Sequence, residues 1–265
     1  MNSVILIPAR FQSSRYPGKP LVELKGAKGT AKPLIQRSVE AARRVAGVSG
    51  VFVTTDDDRI ADVCSKFGVG VIMTSPECRN GTERCAEALA SLHEPDLVIN
   101  FQGDALLTPP GFVEALMARM EQDADALVAT PAMRLRTDEV RKLQAEEAAG
   151  RVGGTSVVTD NQGFALYFSK RLIPHLPAGA LDEVVSPVQL HVGVYAYRPK
   201  ALHLYAATPV SDLEMLEGLE QLRFLAAGVS VAVVEVAAPP FALRELNNPE
   251  DVAPIEQALA EAGLD

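Results

Sequence analysis

The residues with the densest chemistry in this chain lie at its beginning. Residues 10–19 hold Arg10, Ser13, Ser14, Arg15, Gly18 and Lys19, directly after the apolar run 4–7 (VILI) and Pro8. Arginine can grip phosphate with two parallel N–H bonds, lysine supplies a point charge, and backbone N–H groups near a glycine can wrap anionic oxygens. The set suits a polyphosphate. Its spacing is neither the GxxxxGK[ST] of a P-loop nor GxGxxG. A solvated, charged surface loop is the plainer alternative, although Pro8, Pro17 and Pro20 stiffen this one more than a simple connection needs.

A second candidate is Gln102-Gly103-Asp104, which follows the apolar run 96–101 (DLVINF). A carboxylate placed after a close-approach glycine at a strand end suits Mg²⁺, which takes one or two carboxylates plus substrate phosphates. The competing reading makes Asp104 a turn former before the helix at Pro110. The Asn80–Arg84 turn opens another helix, and exposed N–H groups there can meet a phosphate or a base edge. Asp56, Asp57 and Asp58 can bind a cation or cap the next helix, and Asp is favoured at caps. His93, His175, His191 and His203 form no HxxxH pair. His191 shares one expected strand face with Gly193, Tyr195 and Tyr197, where a half-buried structural histidine is the default.

The elements that must position these residues follow from periodicity. Strands are expected over 4–7, 50–55, 70–74, 96–101 and 125–132, and helices over 33–45, 58–67, 80–92 and 110–122. This alternation predicts an α/β fold with a mostly parallel, Rossmann-like sheet flanked by helices. In such sheets ligands bind outside the carboxyl ends of the strands, where the Arg10 loop and Asp104 both fall. Residues 137–151 read as a helix or a mobile connection. An antiparallel excursion follows, with a hairpin over 154–159 and 163–169 and a strand over 190–197. A single amphipathic helix is expected over 213–227. It would carry Glu217 and Glu220 near one face, usually a solvated stripe. A last strand over 229–236 and a helix over 249–262 complete the chain.

The 265 residues suit one domain, 1–265. The composition is 48% apolar with a mean hydropathy of +0.10, and no run reaches the roughly 18 apolar residues of a membrane span. The start lacks the pattern of a signal peptide, so a cytoplasmic protein without membrane partners is expected. The net charge of −9 argues against a nucleic-acid surface. Cys64, Cys78 and Cys85 lack CxxC spacing and read as reduced thiols rather than zinc ligands.

The segments IPARFQSSRYPGKP, NGTER, NFQGD, ALYFSK, HVGVYAYR and LEQLR stand in this order across nearly the whole chain. Together they resemble the CMP-Kdo synthetases, the 3-deoxy-manno-octulosonate cytidylyltransferases of the nucleotide-diphospho-sugar transferase fold. The resemblance implies that the cytidylyl group of CTP moves to the anomeric hydroxyl of a sugar acid, most simply Kdo, and that pyrophosphate leaves. It implies Mg²⁺ as cofactor, a homodimer, and a place in lipopolysaccharide or capsule precursor synthesis, with residues 1–133 mainly binding nucleotide and 151–230 mainly serving the acceptor and dimerisation. It assigns Arg10, Lys19 and Asp104 to catalysis. Pro8, Ala9, Arg10, Ser14, Arg15, Lys19, Gly81, Thr82, Arg84 and Gln102 go to the nucleotide. Gln102, His191, Tyr195, Glu217 and Gln221 go to the acceptor, and Asp104 and Asn247 to the metal.

Four departures stand out. The family pattern QGDEP is here Gln102-Gly103-Asp104-Ala105-Leu106, and VDTPEDL is LNNPEDV, so Asn247 replaces a metal-site aspartate. Ser156 stands where a lysine is usual, and KGAKGTAK between Leu24 and Pro33 is longer than the family's tight turn. The alternatives are the same chemistry on an amino-Kdo, another nonulosonate or a phosphonate, a nucleotide-binding homologue with little turnover, and a GT-A-type glycosyltransferase.

Overall fold

The computed structural model describes residues 1–13, 15–177, 179–181 and 185–265. Strand β1 (Ser3–Pro8) is apolar along its length because both of its faces are covered. A short hairpin, β2 (Glu23–Lys25) with β3 (Ala31–Pro33), leads into helix α1 (Leu34–Ala42). The parallel pattern continues through β4 (Gly50–Thr55), α2 (Asp58–Lys66), β5 (Gly70–Met73), α3 (Gly81–Ala88) and β6 (Leu97–Phe101). Helix α4 (Pro110–Gln122) precedes the long strand β7 (Val128–Arg136) and helix α5 (Thr137–Ala148). The second half holds β8 (Ser156–Thr159), β9 (Ala165–Ser169), β10 (Val185–His191), β11 (Val194–Tyr197), α6 (Pro199–Ala207), α7 (Asp212–Glu217), α8 (Leu222–Ala226), β12 (Val231–Val236) and α9 (Val252–Glu261).

One sheet runs β5-β4-β1-β6-β11-β7-β10-β8-β9, with β12 alongside β7. Strands β5, β4, β1 and β6 pair in parallel, as does β12 with β7. Strands β11, β10, β8 and β9 supply the antiparallel part. Alternation along β1 sends Ile5 and Ile7 to one face, packed with Ile35, Ile60, Val113 and Leu116 from α1, α2 and α4. Val4 and Leu6 face the other way, into a core with Cys85, Leu202, Tyr205 and Phe224 from α3, α6 and α8. Each fully buried Ile or Leu contributes about 1.5–3 kcal/mol, so these two layers fix where the strand ends lie.

Several expectations change. The strand expected over 190–197 is two: it bends at Val192-Gly193, where β10 leaves off and β11 slots between β6 and β7. Thr130 Oγ1 holds the bend, lying 2.8 Å from the Val194 carbonyl and 2.9 Å from His191 Nε2. The helix expected over 213–227 is broken after Glu217 by Gly218, whose φ of 60° is the left-handed conformation that ends helices. Glu217 and Glu220 therefore share no helix face. The β2–β3 hairpin, unforeseen, occupies the KGAKGTAK stretch. Helix α6 is likewise unforeseen, β10 begins at Val185 rather than 190, and β7 is displaced toward Arg136; the other strands and helices fall near where periodicity puts them.

Asp57 caps α2, accepting from the Arg59 N–H at 3.0 Å, with Asp58 in the first turn. Asp56 instead reaches Arg84 Nη2 at 3.1 Å. All three cysteines are free thiols, Cys64 and Cys85 buried and Cys78 partly so. Burial pushes the Cys64 and Cys78 thiols up to about 12.

Candidate active site

The carboxyl ends of β1 and β6 meet because Gly103 lets them. A Cβ on Gly103 would stand 2.7 Å from the Pro8 carbonyl oxygen, too close for any other residue without backbone movement. The chain after β6 thereby carries Asp104 to the loop that follows β1. Lys19, in a short 3-10 turn over Lys19–Leu21, reaches across and donates to Asp104 Oδ2 at 2.5 Å. The same ammonium donates to the Leu246 carbonyl at 3.1 Å. The loop after β1 and the segment before α9 thus close around one acidic group.

Arg15, exposed, donates to Asn247 Oδ1 at 2.7 Å, joining the cationic loop to that segment a second time. Arg10 is exposed and lies 3.4 Å from the Arg79 carbonyl. Ala9 is buried, with its N–H on the Thr54 carbonyl at 2.9 Å. Ser14 lies outside the described residues.

Helix α3 points its N-terminus at the same strand ends. Asn80 caps it, accepting from the Glu83 N–H at 2.9 Å. A Cβ on Gly81 would come within 3.2 Å of both Asn100 Nδ2 and Gln102 Nε2 and 3.4 Å of Pro8 Cγ. Gly81 therefore keeps the helix start tight against β1 and β6. The Thr82 N–H, one of the unsatisfied donors of a helix start, donates to Glu220 Oε2 at 3.0 Å. Gln102 Nε2 donates to the other oxygen, Oε1, at 3.2 Å. Burial pushes the Glu220 carboxyl upward, and these bonds pull against it. Arg84 is turned inward, onto Thr74 Oγ1 at 2.5 Å and Asp56.

The acceptor-side candidates separate into two groups. His191 rests against Phe168 and Tyr195, ring centroids 5.2 and 5.4 Å away, and Tyr195 stacks on Tyr197. Burial lowers His191 to about 3, so its imidazole is neutral at ordinary pH. Its Nε2 pairs with the Thr130 hydroxyl, which also reaches the Val192 and Val194 carbonyls. Gln221 is buried and its Nε2 has no hydrogen-bond partner among the described residues. Glu217, in contrast, accepts from Ser169 Oγ at 2.8 Å and the Lys170 N–H at 2.9 Å, on β9 and the residue beyond it. It is Glu220, not Glu217, that the structure brings to Gln102.

Glu245 is the other residue that sequence reasoning passed over. It faces Asp104, Lys19 and Arg15. The negative charge of Asp104, then burial of the carboxyl, pushes Glu245 up to about 7. The residue as a whole is exposed at the cleft mouth, and the Asp104 charge dominates the shift. Glu220 had a sequence signal, its place within LEQLR. Glu245 had none beyond its nearness to Asn247.

A cationic loop, a helix N-terminus and a carboxylate thus stand together at adjoining strand ends, an arrangement suited to a nucleotide's phosphates. The comparisons with known proteins give the family. A family model described as Cytidylyltransferase matches residues 4–231, and the chain belongs to that family. The 3-deoxy-manno-octulosonate cytidylyltransferase of Arabidopsis thaliana is 36% identical over 98% of this chain and 83% of its own length. The 8-amino-3,8-dideoxy-manno-octulosonate cytidylyltransferase of Shewanella baltica is 40% identical over 98% and 99%. Among solved structures, a CMP:2-keto-3-deoxy-manno-octonic acid synthetase complexed with CTP superposes with a TM-score of 0.84. It is 36% identical, covering 99% of this chain and all of its own.

Proposed function

We propose that this chain transfers the cytidylyl group of CTP to the anomeric hydroxyl of a 3-deoxy sugar acid of the Kdo class. The observation that carries the reading is the Lys19–Asp104 pair at the joined ends of β1 and β6, flanked by Arg10 and Arg15. Support comes from full-length similarity to a CTP-complexed synthetase.

In this reading the sugar hydroxyl oxygen attacks the α-phosphorus, the bond to the bridging oxygen of the β-phosphate breaks, and pyrophosphate leaves. Such transfer needs positioning and charge neutralisation more than covalent help from protein. Arg10, Arg15 and Lys19 neutralise the triphosphate, and Ser14 is assigned to it as a hydrogen-bonding hydroxyl. Pro8, Ala9, Gly81, Thr82 and Arg84 hold the cytidine, and Gln102 stands between nucleotide and acceptor. His191, Tyr195, Gln221 and Glu217 serve the acceptor side, to which we add Glu220. A bound Mg²⁺ would supply charge stabilisation and acidify the sugar hydroxyl. The donors beside Lys19 are Asp104, Glu245, Asn247 and the Leu246 carbonyl, all oxygen, the hard set that fits Mg²⁺. Asp104 would anchor it, with Asn247 alongside.

The remaining expectations belong to the same proposal. A homodimer fits the exposed Leu213, Met215 and Leu216 around α7, the last 84% accessible. A cytoplasmic setting fits the free thiols, and the product would enter lipopolysaccharide or capsule precursor synthesis. Among the described residues no helix is long and apolar enough to cross a membrane.

The test is pyrophosphate release from CTP and Mg²⁺ with Kdo, then with 8-amino-Kdo. The second acid is included because the Shewanella baltica relative carries it in its name at 40% identity. Turnover with either confirms the reaction and the preferred acid fixes the acceptor. CTP binding without pyrophosphate release from any sugar acid contradicts the reading.

A further inference from the structure

Resting on the reading of this cleft as a Mg²⁺–CTP site, we propose that Glu245 supplies the carboxylate that Asn247 lacks. Position 247 holds a neutral amide where the family pattern has an aspartate. An amide oxygen can ligate a cation, but it brings no charge. In this structure that oxygen is already committed, because Arg15 Nη2 donates to Asn247 Oδ1 at 2.7 Å. Glu245, two residues earlier, carries a carboxylate within electrostatic reach of Asp104 and Lys19. The charge absent at position 247 thus stands at position 245.

The geometry puts Glu245 at the correct strand end. Its Oε1 lies 3.9 Å from the point where a Cβ on Gly193 would stand, and Gln102 Cγ lies 3.9 Å from the same point. The carboxylate thus reaches over the bend between β10 and β11 to the residue two before Asp104. A single ammonium, Lys19 Nζ, already bridges Asp104 Oδ2 and the Leu246 carbonyl, which is the next residue after Glu245. A cation therefore sits between the end of β6 and this segment, with lysine in that place. Asp104 and Glu245 would ligate the metal.

The experiment is Mn²⁺ titration of the full chain loaded with CTP and without acceptor, followed by water-proton relaxation enhancement. Glu245→Gln should weaken Mn²⁺ binding by about tenfold or more. The double variant Glu245→Gln with Asn247→Asp should recover most of that loss, because the charge returns at position 247; such recovery also shows that the single variant was folded. Asp104→Asn serves as the reference. Loss of binding in Asp104→Asn together with unchanged binding in Glu245→Gln overturns the Glu245 proposal and leaves the cleft reading standing. Unchanged binding in Asp104→Asn removes the cleft reading and the proposal together. A loss in Glu245→Gln that Asn247→Asp does not restore overturns the exchange of roles between the two positions.

Discussion

Two ion-pair centres lie on either side of helix α3, and their surroundings give them opposite jobs. Arg223 is 2% exposed and donates to Glu214 at 2.6 and 2.7 Å and to Glu83 at 3.0 Å, with its guanidinium 3.9 Å over the Tyr205 ring. It ties α8 to α7 and to the first turn of α3. Lys19 and Asp104 keep side-chain exposures of 22% and 13% and open onto the cleft. A buried, fully bonded centre holds elements together, and losing one partner strands a charge. A half-open centre with a flexible lysine can exchange its partner for a substrate. Similar chemistry thus serves the fold in one place and the reaction in the other.

The sharpest way to break this comparison is to remove one member of each centre. Arg223→Met should lower stability by about 3–5 kcal/mol, because Glu214 is left buried and unpaired; denaturant unfolding measures it. A loss under 1 kcal/mol, about what a surface pair contributes, would erase the distinction. Asp104→Asn should reduce pyrophosphate release by about 10²–10³-fold, near 2.7–4 kcal/mol. Its unfolding midpoint should move little, since Lys19 keeps solvent access. A large stability loss with retained turnover would reverse the two roles.

Smaller effects refine it. Asn80→Ala removes the cap of α3 and should cost about 0.5–2 kcal/mol of stability. It should also raise the KM for CTP, because the Thr82 N–H lies in the same turn; an unchanged KM would detach that turn from the nucleotide. The last prediction concerns pH. Burial lowers His191 from its ordinary 6.5 to about 3, so between these values the unfolded chain binds more protons than the folded one. The stability this contributes is complete above pH 6.5 and drains away as the pH falls toward 3. The slope is at most about 1.4 kcal/mol per pH unit, reduced by the solvent access His191 retains. His191→Gln should flatten the decline between pH 6.5 and 5, measured by thermal unfolding. An unchanged decline would show that His191 charges freely in the folded state.

The framework was legible because burial on both faces writes itself into continuous apolar runs such as VILI and into helices with one apolar stripe. The cationic loop and Asp104 were legible because strand ends collect ligands in this architecture. The β2–β3 hairpin was not, since three-residue strands flanked by lysines and glycines carry no period to read. Nor was the break at Gly218, where the apolar spacing of α7 carries on into α8 and only the backbone turns. That break decides which glutamate meets Gln102: a continuous helix put Glu217 and Glu220 together, and the turn sends one to β9 and the other to α3. Glu245 becomes visible only when the segment before α9 folds over β6, a contact between residues some 140 apart that no local pattern encodes.

The most direct measurement is ³¹P NMR of CTP, Kdo and Mg²⁺ incubated with the full chain. The account predicts the three CTP resonances giving way to one phosphodiester resonance and pyrophosphate in equal amounts, with no inorganic phosphate. Release of inorganic phosphate with CDP, or CTP left unchanged with every sugar acid offered, would contradict it.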